Sequence, residues 1–420
     1  MGEREIIINL SEQLISDFDK KLVVNKDRFE LMTLSSGLPG MIFLCSELYE
    51  LTKDEYYFSK IDSYIIFMVN QLKSQGVFSD SLFSGAAGIG ICLLHLINYN
   101  SNYQNLINSL NNFIDYYTSK KIDEINVSSI SPTDYDIIEG ISGVLIYLLQ
   151  LPDDCLKDLK LSIVNFLSDL VLINPQYTGF YVESVNQMSD TESKFYPDGS
   201  LNFGVAHGLA GVGVALCYAK LRGVFTGKSI MSIQRLVTFY EKYELPNHMW
   251  KEGLDRNELL LESVPNFVNE FIRDAWCYGS PGISLFYLYS GIVLEDSELI
   301  EKACRILKTA VKRGNGLEQS ILCHGYAGLV EICFTFRNVL KNNKFDKEIE
   351  ILYSQLLAGY DKRRRLGFDT STEFEGLRCE ENIGFLDGII GILLTMLHLN
   401  SLNVFSNWQS AMLLFDDFTI

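Results

Sequence analysis

The chain alternates between two kinds of hydrophobic segment. Segments such as MIFLCSELYEL and IGICLLHLINYN are apolar on nearly every side, which is typical of helices buried in a core. Segments such as SKIDSYIIFMVNQLKSQ and QNLINSLNNFIDYYTSK carry a single apolar stripe at helical spacing, which is typical of helices with one face in water. The alternation predicts helical hairpins, each with a buried inner helix and a half-exposed outer helix.

The buried segments share the motif Gly-x-x-Gly. Its copies are 46 to 71 residues apart, and about 45 residues suffice for two ordinary helices with their loops. Inner helices that are apolar all round favour a closed ring, because an open stack leaves one face in water. We therefore predict an all-α fold, an α/α toroid of seven αα-hairpins, with the glycines at one end of the inner helices. The first glycines of the seven copies are Gly37, Gly85, Gly140, Gly208, Gly279, Gly325 and Gly388.

Three regions lie outside the regular repeat pattern. An amphipathic helix is predicted over Ser11–Phe29. Two long intervals between repeats contain YTGFYVESV, and VTFYEKYELPNHMWKEGL before the helical segment ELLLESVPNFVNEF. Their aromatic and β-branched residues predict short strands in a small α+β elaboration on one edge of the toroid. The toroid would comprise residues 1–170, 204–223 and 275–420, and the α+β extension residues 171–203 and 224–274.

Charge and cysteine usage narrow the functional classes. The net charge of −18 argues against a nucleic-acid partner, which requires a basic surface. The nine cysteines, odd in number and scattered through apolar segments, oppose a disulfide framework. The opening Met-Gly-Glu-Arg-Glu is not typical of a signal peptide, and the longest apolar runs are too short to span a bilayer. We therefore expect a cytoplasmic protein.

If the repeats are equivalent, the residues just before each first glycine converge on one rim of the ring. Ser36, Ser84 and Asp387 hold this position in the first two repeats and the last, and they suggest no particular chemistry. Reactive side chains occupy the four middle repeats. These are Asp136 with Glu139, then His207, then Cys277 with Tyr278, and finally Cys323 with His324. The clustering predicts a functional site on this rim.

Three of these residues form a candidate metal-binding set. Cys277 and Cys323 both stand two residues before their glycine in adjacent repeats, and His324 follows Cys323 directly. Two thiolates and an imidazole suit zinc, with the fourth tetrahedral position open as in catalytic sites. Two core cysteines and a hydrogen-bonded core histidine are the alternative, and the spacing leaves both interpretations open. The core interpretation fits the other cysteines inside helical segments, Cys45, Cys92, Cys217, Cys304 and Cys333.

Six segments, in order along the chain, resemble the class I lanthipeptide cyclases, the lanthionine synthetase C components. They are SGAAGI, DYDIIEGISG, AHGLAGVG, IRDAWCYG, CHGYAGL and LLFDDF, and the resemblance extends from about Leu34 to the C-terminus. It implies that cysteine thiols of a precursor peptide add to dehydroalanine or dehydrobutyrine by intramolecular Michael addition. The products are the lanthionine and methyllanthionine rings of a lantibiotic. The resemblance also implies Zn²⁺ as the cofactor, bound by Cys277, Cys323 and His324.

That reaction suggests roles for the other rim residues. His207 is the candidate acid that protonates the α-carbon, or the group that accepts the thiol proton, and Asp136 would orient His207 or hold it charged. Arg273 would stabilise the enolate oxygen or pair with Asp136, with a purely structural ion pair as the alternative. Tyr278 would donate a hydrogen bond to the substrate or only pack. Glu139 is expected to be structural.

The resemblance also implies partners. They are a dehydrated precursor peptide with its leader, a lanthipeptide dehydratase and an ABC-type exporter, and this complex would bring the protein to the membrane peripherally. Two other functions stay open. A glutathione-binding or thiol-conjugating cyclase-like protein would use the same site on another substrate, and a non-catalytic helical-repeat scaffold would bind partners without chemistry.

Overall fold

The computed structural model describes residues 2–24, 29–173, 178–261, 272–374, 377–379, 381–401 and 405–416. Within these ranges the chain is mostly helical, and none of the helices has both the length and the hydrophobicity needed for a membrane crossing. In chain order the helices are α1 Glu3–Val24, α2 Leu38–Thr52, α3 Glu55–Gln75, α4 Ala86–Leu93, α5 Asn102–Glu124, α6 Pro132–Tyr135, α7 Ile141–Leu148, α8 Lys157–Leu172, α9 Asp190–Phe195, α10 Leu209–Leu221, α11 Gly227–Lys242, α12 Arg256–Leu260, α13 Ser280–Val293, α14 Ser297–Arg313, α15 Tyr326–Leu340, α16 Asp346–Ala358 and α17 Ile389–Ser401. The strands are β1 Leu201–Asn202, β2 Gly253–Leu254, β3 Thr372–Phe374 and β4 Leu377–Cys379.

In the part of the chain that the structure describes, seven helices form an inner ring and seven form an outer layer. The inner helices α2, α4, α7, α10, α13, α15 and α17 each begin directly after the first glycine of a Gly-x-x-Gly motif. Each contacts the inner helices on both sides, and α17 contacts α2, so the ring is closed. The outer helices α3, α5, α8, α11, α14 and α16 pack on the inner helix that precedes them, and α1 packs on α17. The predicted α/α toroid is confirmed.

The loops that lead into the inner helices are joined by a closed circle of backbone hydrogen bonds. Each bond links neighbouring repeats through residues two or three positions before the first glycine. The amide-to-carbonyl pairs are Leu34 to Phe83, Phe83 to Ile138, Ile137 to Ala206, Val205 to Cys277, Cys277 to Cys323, Cys323 to Leu386 and Phe385 to Ser35. The last pair closes the circle. The residues before all seven glycines therefore lie on one rim, together with the N-termini of the inner helices.

Glycine is required where the preceding loop folds tightly against the start of an inner helix. A Cβ atom at Gly328 would lie 2.1 Å from the carbonyl oxygen of Leu322. At Gly279 the backbone has a φ of +97°, and a Cβ atom would lie 1.8 Å from the carbonyl oxygen of Arg273. A side chain at either position would force the loop away from the helix.

The C-terminal segment 405–416, which contains a 3₁₀ helix at Trp408–Met412, fills the interior of the ring. It contacts residues of α2, α10, α13 and α17 and residues that directly follow α4 and α7. The segment therefore ties together hairpins that are distant in sequence. Its contacts are Phe405 and Ser406 with Glu47, Phe405 with His95, Asn407 with Gln150, Gln409 with His398, Leu413 with Tyr289 and Phe415 with Tyr218.

The strands form two small antiparallel sheets. β1 pairs with β2 within the two intervals for which the sequence predicts an α+β extension, and the boundaries of that extension stay a prediction. β3 pairs with β4 between α16 and α17, where the sequence analysis predicted no strand, because three-residue strands carry too little alternation to stand out. Isolated antiparallel bridges also join Val182 to Ser200 and Leu245 to Met249.

Two sequence predictions are wrong in detail. The N-terminal helix begins at Glu3 rather than Ser11, because Ile7 continues its buried stripe toward the N-terminus. The segment VTFYEKYELPNHMWKEGL is predicted to contain short strands, and β2 lies at its end, but its first part, VTFYEK, belongs to α11, which packs on α8, α10 and α13. Val237 and Tyr240 are buried there at helical spacing. The aromatic and β-branched residues follow their tertiary contacts rather than their strand propensity.

Some predictions concern residues outside the described ranges. They are residues 25–28, at the end of the predicted N-terminal helix, and the tyrosine that opens YTGFYVESV. They also include residues 262–271, which are the last ten residues of the segment ELLLESVPNFVNEF, and the last two residues of the motif LLFDDF. The beginning of the segment ELLLESVPNFVNEF is described, and it belongs to α12.

Candidate metal centre

The predicted ligand set lies together on the rim. One ligand atom from each of Cys277, Cys323 and His324 lies within 4.8 Å of the other two, and these residues form a group that can hold a metal ion. Cys277 is buried, while Cys323 and His324 are partly exposed. The loops are joined directly, since the amide of Cys277 donates to the carbonyl of Cys323 at 3.2 Å. The closed ring thus makes neighbours of two cysteines that are 46 positions apart in the chain.

The donor atoms fit a divalent metal such as zinc, which binds thiolates and imidazole. The hydrogen bond from Cys323 lowers the pKa of the Cys277 thiol well below its usual value despite burial, and the charges of His324 and Arg273 act in the same direction. The same bond raises the pKa of Cys323. The sulfur pair therefore gives up one proton readily, and both cysteines stand just before helix N-termini, which favour thiolates. A metal cation would take the place of the shared proton.

Two contacts fix the loop that carries Cys277. The buried carboxylate of Asp274 accepts hydrogen bonds from Arg313, at the end of α14, at 2.6 Å and 2.8 Å. Trp276 donates its indole N–H to the carbonyl of Met412 at 2.8 Å. Arg313 therefore anchors the loop to the outer layer of helices, and Met412 anchors it to the interior of the ring. The motif that contains this loop, IRDAWCYG, carries no local signal for either contact.

His207 and Asp136 form a hydrogen-bonded pair on the same rim. Nδ1 of His207 lies 2.6 Å from Oδ2 of Asp136, whose Oδ1 accepts the amides of Glu139 and Gly140 at the start of α7. Asp136 is fully buried, whereas the side chain of His207 is 20% exposed. Burial lowers the pKa of His207, but the hydrogen bond and charge of Asp136 outweigh burial, and the pKa is raised, with a further contribution from Cys277. The contact with Asp136 thus occupies Nδ1 of His207 and leaves Nε2 as the other ring nitrogen.

Tyr278 connects the rim to the first small sheet. Its hydroxyl accepts a hydrogen bond from the side chain of Asn202, in β1, at 3.1 Å. Burial raises the pKa of Tyr278, so its hydroxyl stays protonated and can donate. Arg273 lies close enough to the ligand group for its positive charge to lower the pKa of Cys277.

Two carboxylates complete the surroundings of the site. Asp387, for which sequence analysis suggested no chemistry, has Oδ1 3.5 Å from Nδ1 of His324. Burial raises the pKa of Asp387, and the charge of His324 opposes this effect. Glu139 accepts a hydrogen bond from the hydroxyl of Ser84 in the preceding repeat. Asp387 occupies the position in its repeat that His324 occupies in the preceding repeat, and this equivalence is the signal that could have identified it.

Comparisons with known proteins give a consistent result. Residues 29–413 match the family described as lanthionine synthetase C-like protein. The nisin biosynthesis protein NisC of Lactococcus lactis subsp. lactis is 42% identical over 426 residues, which cover 100% of this chain and 97% of that protein. A solved structure of a nisin cyclase superposes with a TM-score of 0.89 at 41% identity, over 98% of each chain.

Proposed function

The chain belongs to the lanthionine synthetase C-like family, and we propose that it is a zinc-dependent cyclase that closes thioether rings in a dehydrated precursor peptide. Its full-length similarity to a nisin biosynthesis protein and to a nisin cyclase supports lanthionine formation in lantibiotic biosynthesis. One observation carries the metal-dependent part of the proposal. Cys277, Cys323 and His324 have ligand atoms within 4.8 Å of one another.

These three residues would hold the zinc ion, and three protein ligands leave the fourth position for an exchangeable group. When bound, zinc supplies a Lewis acid that lowers the pKa of a peptide cysteine thiol, which is otherwise near 8.5. The rim itself favours negative charge, because the N-termini of the inner helices meet there. The protein surroundings therefore suit both a reacting thiolate and the negative charge that its addition produces.

In the proposed reaction, the sulfur forms a bond to the β-carbon of the dehydro residue, and a proton is delivered to the α-carbon. His207 would carry a proton in this step, because Asp136 holds its Nδ1 and leaves Nε2 available. It either protonates the α-carbon or first accepts the thiol proton. Mass is conserved in both cases, since the S–H bond and the π bond of the dehydro residue are replaced by one C–S bond and one C–H bond, and the thiol proton restores the protonation state of the protein.

Two further residues would interact with the reacting peptide. Arg273 would stabilise the negative charge on the enolate oxygen, and its effect on the pKa of Cys277 is consistent with a place near the reacting atoms. Tyr278 would donate a hydrogen bond to the peptide, since its hydroxyl stays protonated and Asn202 orients it.

The substrate is a precursor peptide, and the proposal extends to the proteins that handle it. The peptide would be dehydrated by a lanthipeptide dehydratase and carry a leader, and its product would leave through an ABC-type exporter. The cyclase would then act in the cytoplasm, with peripheral contact to the membrane through that complex.

The proposal is tested with purified protein, zinc and a matched dehydrated precursor. We expect about one zinc per chain, loss of alkylatable cysteine in the peptide and no change in peptide mass. Cys277→Ala should lose the zinc and the activity together. A zinc-loaded protein that leaves every peptide thiol free would refute the cyclase proposal, and a mass increase would indicate thiol conjugation instead.

The assignment of the proton carrier needs a separate variant. His207→Ala should keep its zinc, because His207 is not a proposed ligand, and it should cyclise roughly 10²–10⁴-fold more slowly. Zinc content and cyclisation rate are measured on the same preparation. Cyclisation at the full rate would assign the proton transfer to another group.

A further inference from the structure

We propose that Asp387 is a positioning residue, which accepts the Nδ1 hydrogen of His324 and thereby fixes that histidine as a metal ligand. This inference rests on the metal site proposed above and names a residue outside the set assigned there. Asp387 precedes Gly388 as His324 precedes Gly325, so the two residues are equivalent positions in adjacent repeats. The backbone bond from Cys323 to Leu386 joins their loops directly.

The local geometry favours a hydrogen bond between these two side chains. Oδ1 of Asp387 lies 3.5 Å from Nδ1 of His324, slightly beyond normal hydrogen-bond length. That oxygen is buried and accepts no hydrogen bond of normal geometry from the described residues, although the thiol of Cys323 also approaches the carboxylate and lowers its pKa as a hydrogen-bond donor. A buried acceptor without a donor is unfavourable. A small rotation of the imidazole would satisfy it.

The consequence for metal binding follows from histidine chemistry. A neutral imidazole carries one hydrogen, so a ring that donates from Nδ1 has its lone pair on Nε2. Asp387 would therefore select the tautomer in which Nε2 is free to bind the metal. A carboxylate behind a histidine ligand also makes the ring a better donor to the metal.

The rim already contains a contact of the same kind. His207 is held at Nδ1 by Asp136, which belongs to the preceding repeat, at 2.6 Å. His324 would be held at the same nitrogen by Asp387, which belongs to the following repeat. In both pairs the imidazole and the carboxylate come from neighbouring repeats, so the closed ring positions both histidines.

The inference is tested by zinc affinity rather than by activity. Purified full-length protein and its variants compete for zinc with a chromogenic chelator. Asp387→Ala should bind zinc about 10–100-fold more weakly. Asp387→Asn keeps an acceptor oxygen and should lose less. Ser36→Ala changes the same position in the adjacent first repeat, and its zinc affinity should equal that of the unsubstituted protein.

A second measurement separates positioning from folding. Thermal unfolding of metal-free Asp387→Ala should begin no lower than that of the metal-free unsubstituted protein, because the substitution removes a partly buried carboxylate whose Oδ1 has no hydrogen bond of normal geometry. The ligand-field bands of the Co²⁺-loaded variant should shift, since the imidazole is less well oriented. Unchanged zinc affinity in Asp387→Ala would overturn the inference. A weaker zinc affinity would also overturn it if the metal-free variant lost an equal amount of stability. Failure of the unsubstituted protein to bind zinc would instead overturn the proposed function.

Discussion

Single residues on the rim obtain their properties from partners in other repeats. Asp136 raises the pKa of His207 although both groups are largely shielded from water. Cys323 lowers the pKa of Cys277 through a hydrogen bond between adjacent loops. Neither effect exists in an isolated hairpin. The reactivity of each group is therefore a property of the closed ring.

With His207 as the acid that protonates the α-carbon, the His207–Asp136 pair predicts a specific pH dependence. Asp136 raises the pKa of His207, so the protonated ring persists above the ordinary value of about 6.5 and is lost as the pH rises through the raised pKa. Asp136→Asn removes the charge, and the decline of the cyclisation rate on the alkaline side should begin at lower pH. The measurement is the pH–rate profile.

The matched control for this prediction is Glu139→Gln. It neutralises a neighbouring carboxylate that bonds Ser84 rather than His207, and its alkaline limb should stay in place. The same pair also stabilises the fold. Its contribution to the free energy of unfolding is complete below about pH 6.5 and is lost as the pH rises through the raised pKa of His207. An alkaline limb that is identical in Asp136→Asn would contradict the role of Asp136.

At the scale of elements, the start of each inner helix determines where the rim residues lie. The loop before α13 folds back so closely that the carbonyl of Arg273 lies where a side chain of residue 279 would start. The same loop carries Asp274 and Trp276, which are anchored to Arg313 and Met412. The position of Cys277 thus depends on Gly279, which follows it in the chain, and on the anchored residues Asp274 and Trp276, which precede it.

Gly279→Ala should therefore abolish the metal site. The new Cβ atom would lie 1.8 Å from a backbone oxygen, and φ is +97°. We expect a loss of more than about 4 kcal/mol in the free energy of unfolding, typical of severe backbone defects, together with loss of zinc. Denaturant unfolding and metal analysis measure the two effects.

Gly223→Ala is the control that separates strain from clash. Gly223 also has a positive φ, of +74°, but a Cβ atom there meets nothing within 4 Å. Gly223→Ala should lower the free energy of unfolding by only roughly 1–2 kcal/mol, which is the strain of a left-handed conformation, and zinc should remain bound. Equal losses in the two variants would show that the close approach to Arg273 is unimportant.

At the scale of the whole molecule, the toroid is held from outside and from inside. The outer helix α1 packs on α17, so the two ends of the chain meet at the closure of the ring. The C-terminal segment 405–416 binds to the interior, and its carbonyl at Met412 accepts a hydrogen bond from Trp276 beside the candidate metal ligand Cys277. The end of the chain therefore contributes both to global stability and to the shape of the site.

Phe415→Ala tests the contribution of this segment. The ring of Phe415 stacks on Tyr218 with centroids 3.7 Å apart, and the residue is only 3% exposed. The substitution should lower the free energy of unfolding by about 3–5 kcal/mol, as for other buried phenylalanines. Phe195→Ala, at a position 76% exposed, should change it by less than about 0.5 kcal/mol. Similar effects in urea titrations of the two variants would contradict a stabilising role for the segment.

The hydrophobic pattern and the glycine spacing were sufficient to predict the hairpins, the closed ring and the rim. Both signals are local, because a helix that is apolar on all sides and the glycines of the tight loop before it can be recognised within about fifteen residues of sequence. Equivalence of the repeats then placed Cys277 beside Cys323 and His324, and the motifs indicated the family. Local propensity failed at VTFYEK in α11, because packing against α8 and α10 outweighs the strand preference of its residues.

The pairings that complete the site required the tertiary structure. Repeat equivalence predicted that His207 and Asp136 share a rim, but the contact at 2.6 Å depends on the side-chain conformations of two neighbouring loops. Asp274 with Arg313, and Trp276 with Met412, join positions 39 and 136 residues apart and have no local signature. Asp387 gains a candidate role only because its loop packs beside the loop that carries His324. The hydrophobic periodicity of the sequence indicates which face of a helix is buried, whereas only the packed structure determines which side chains meet there.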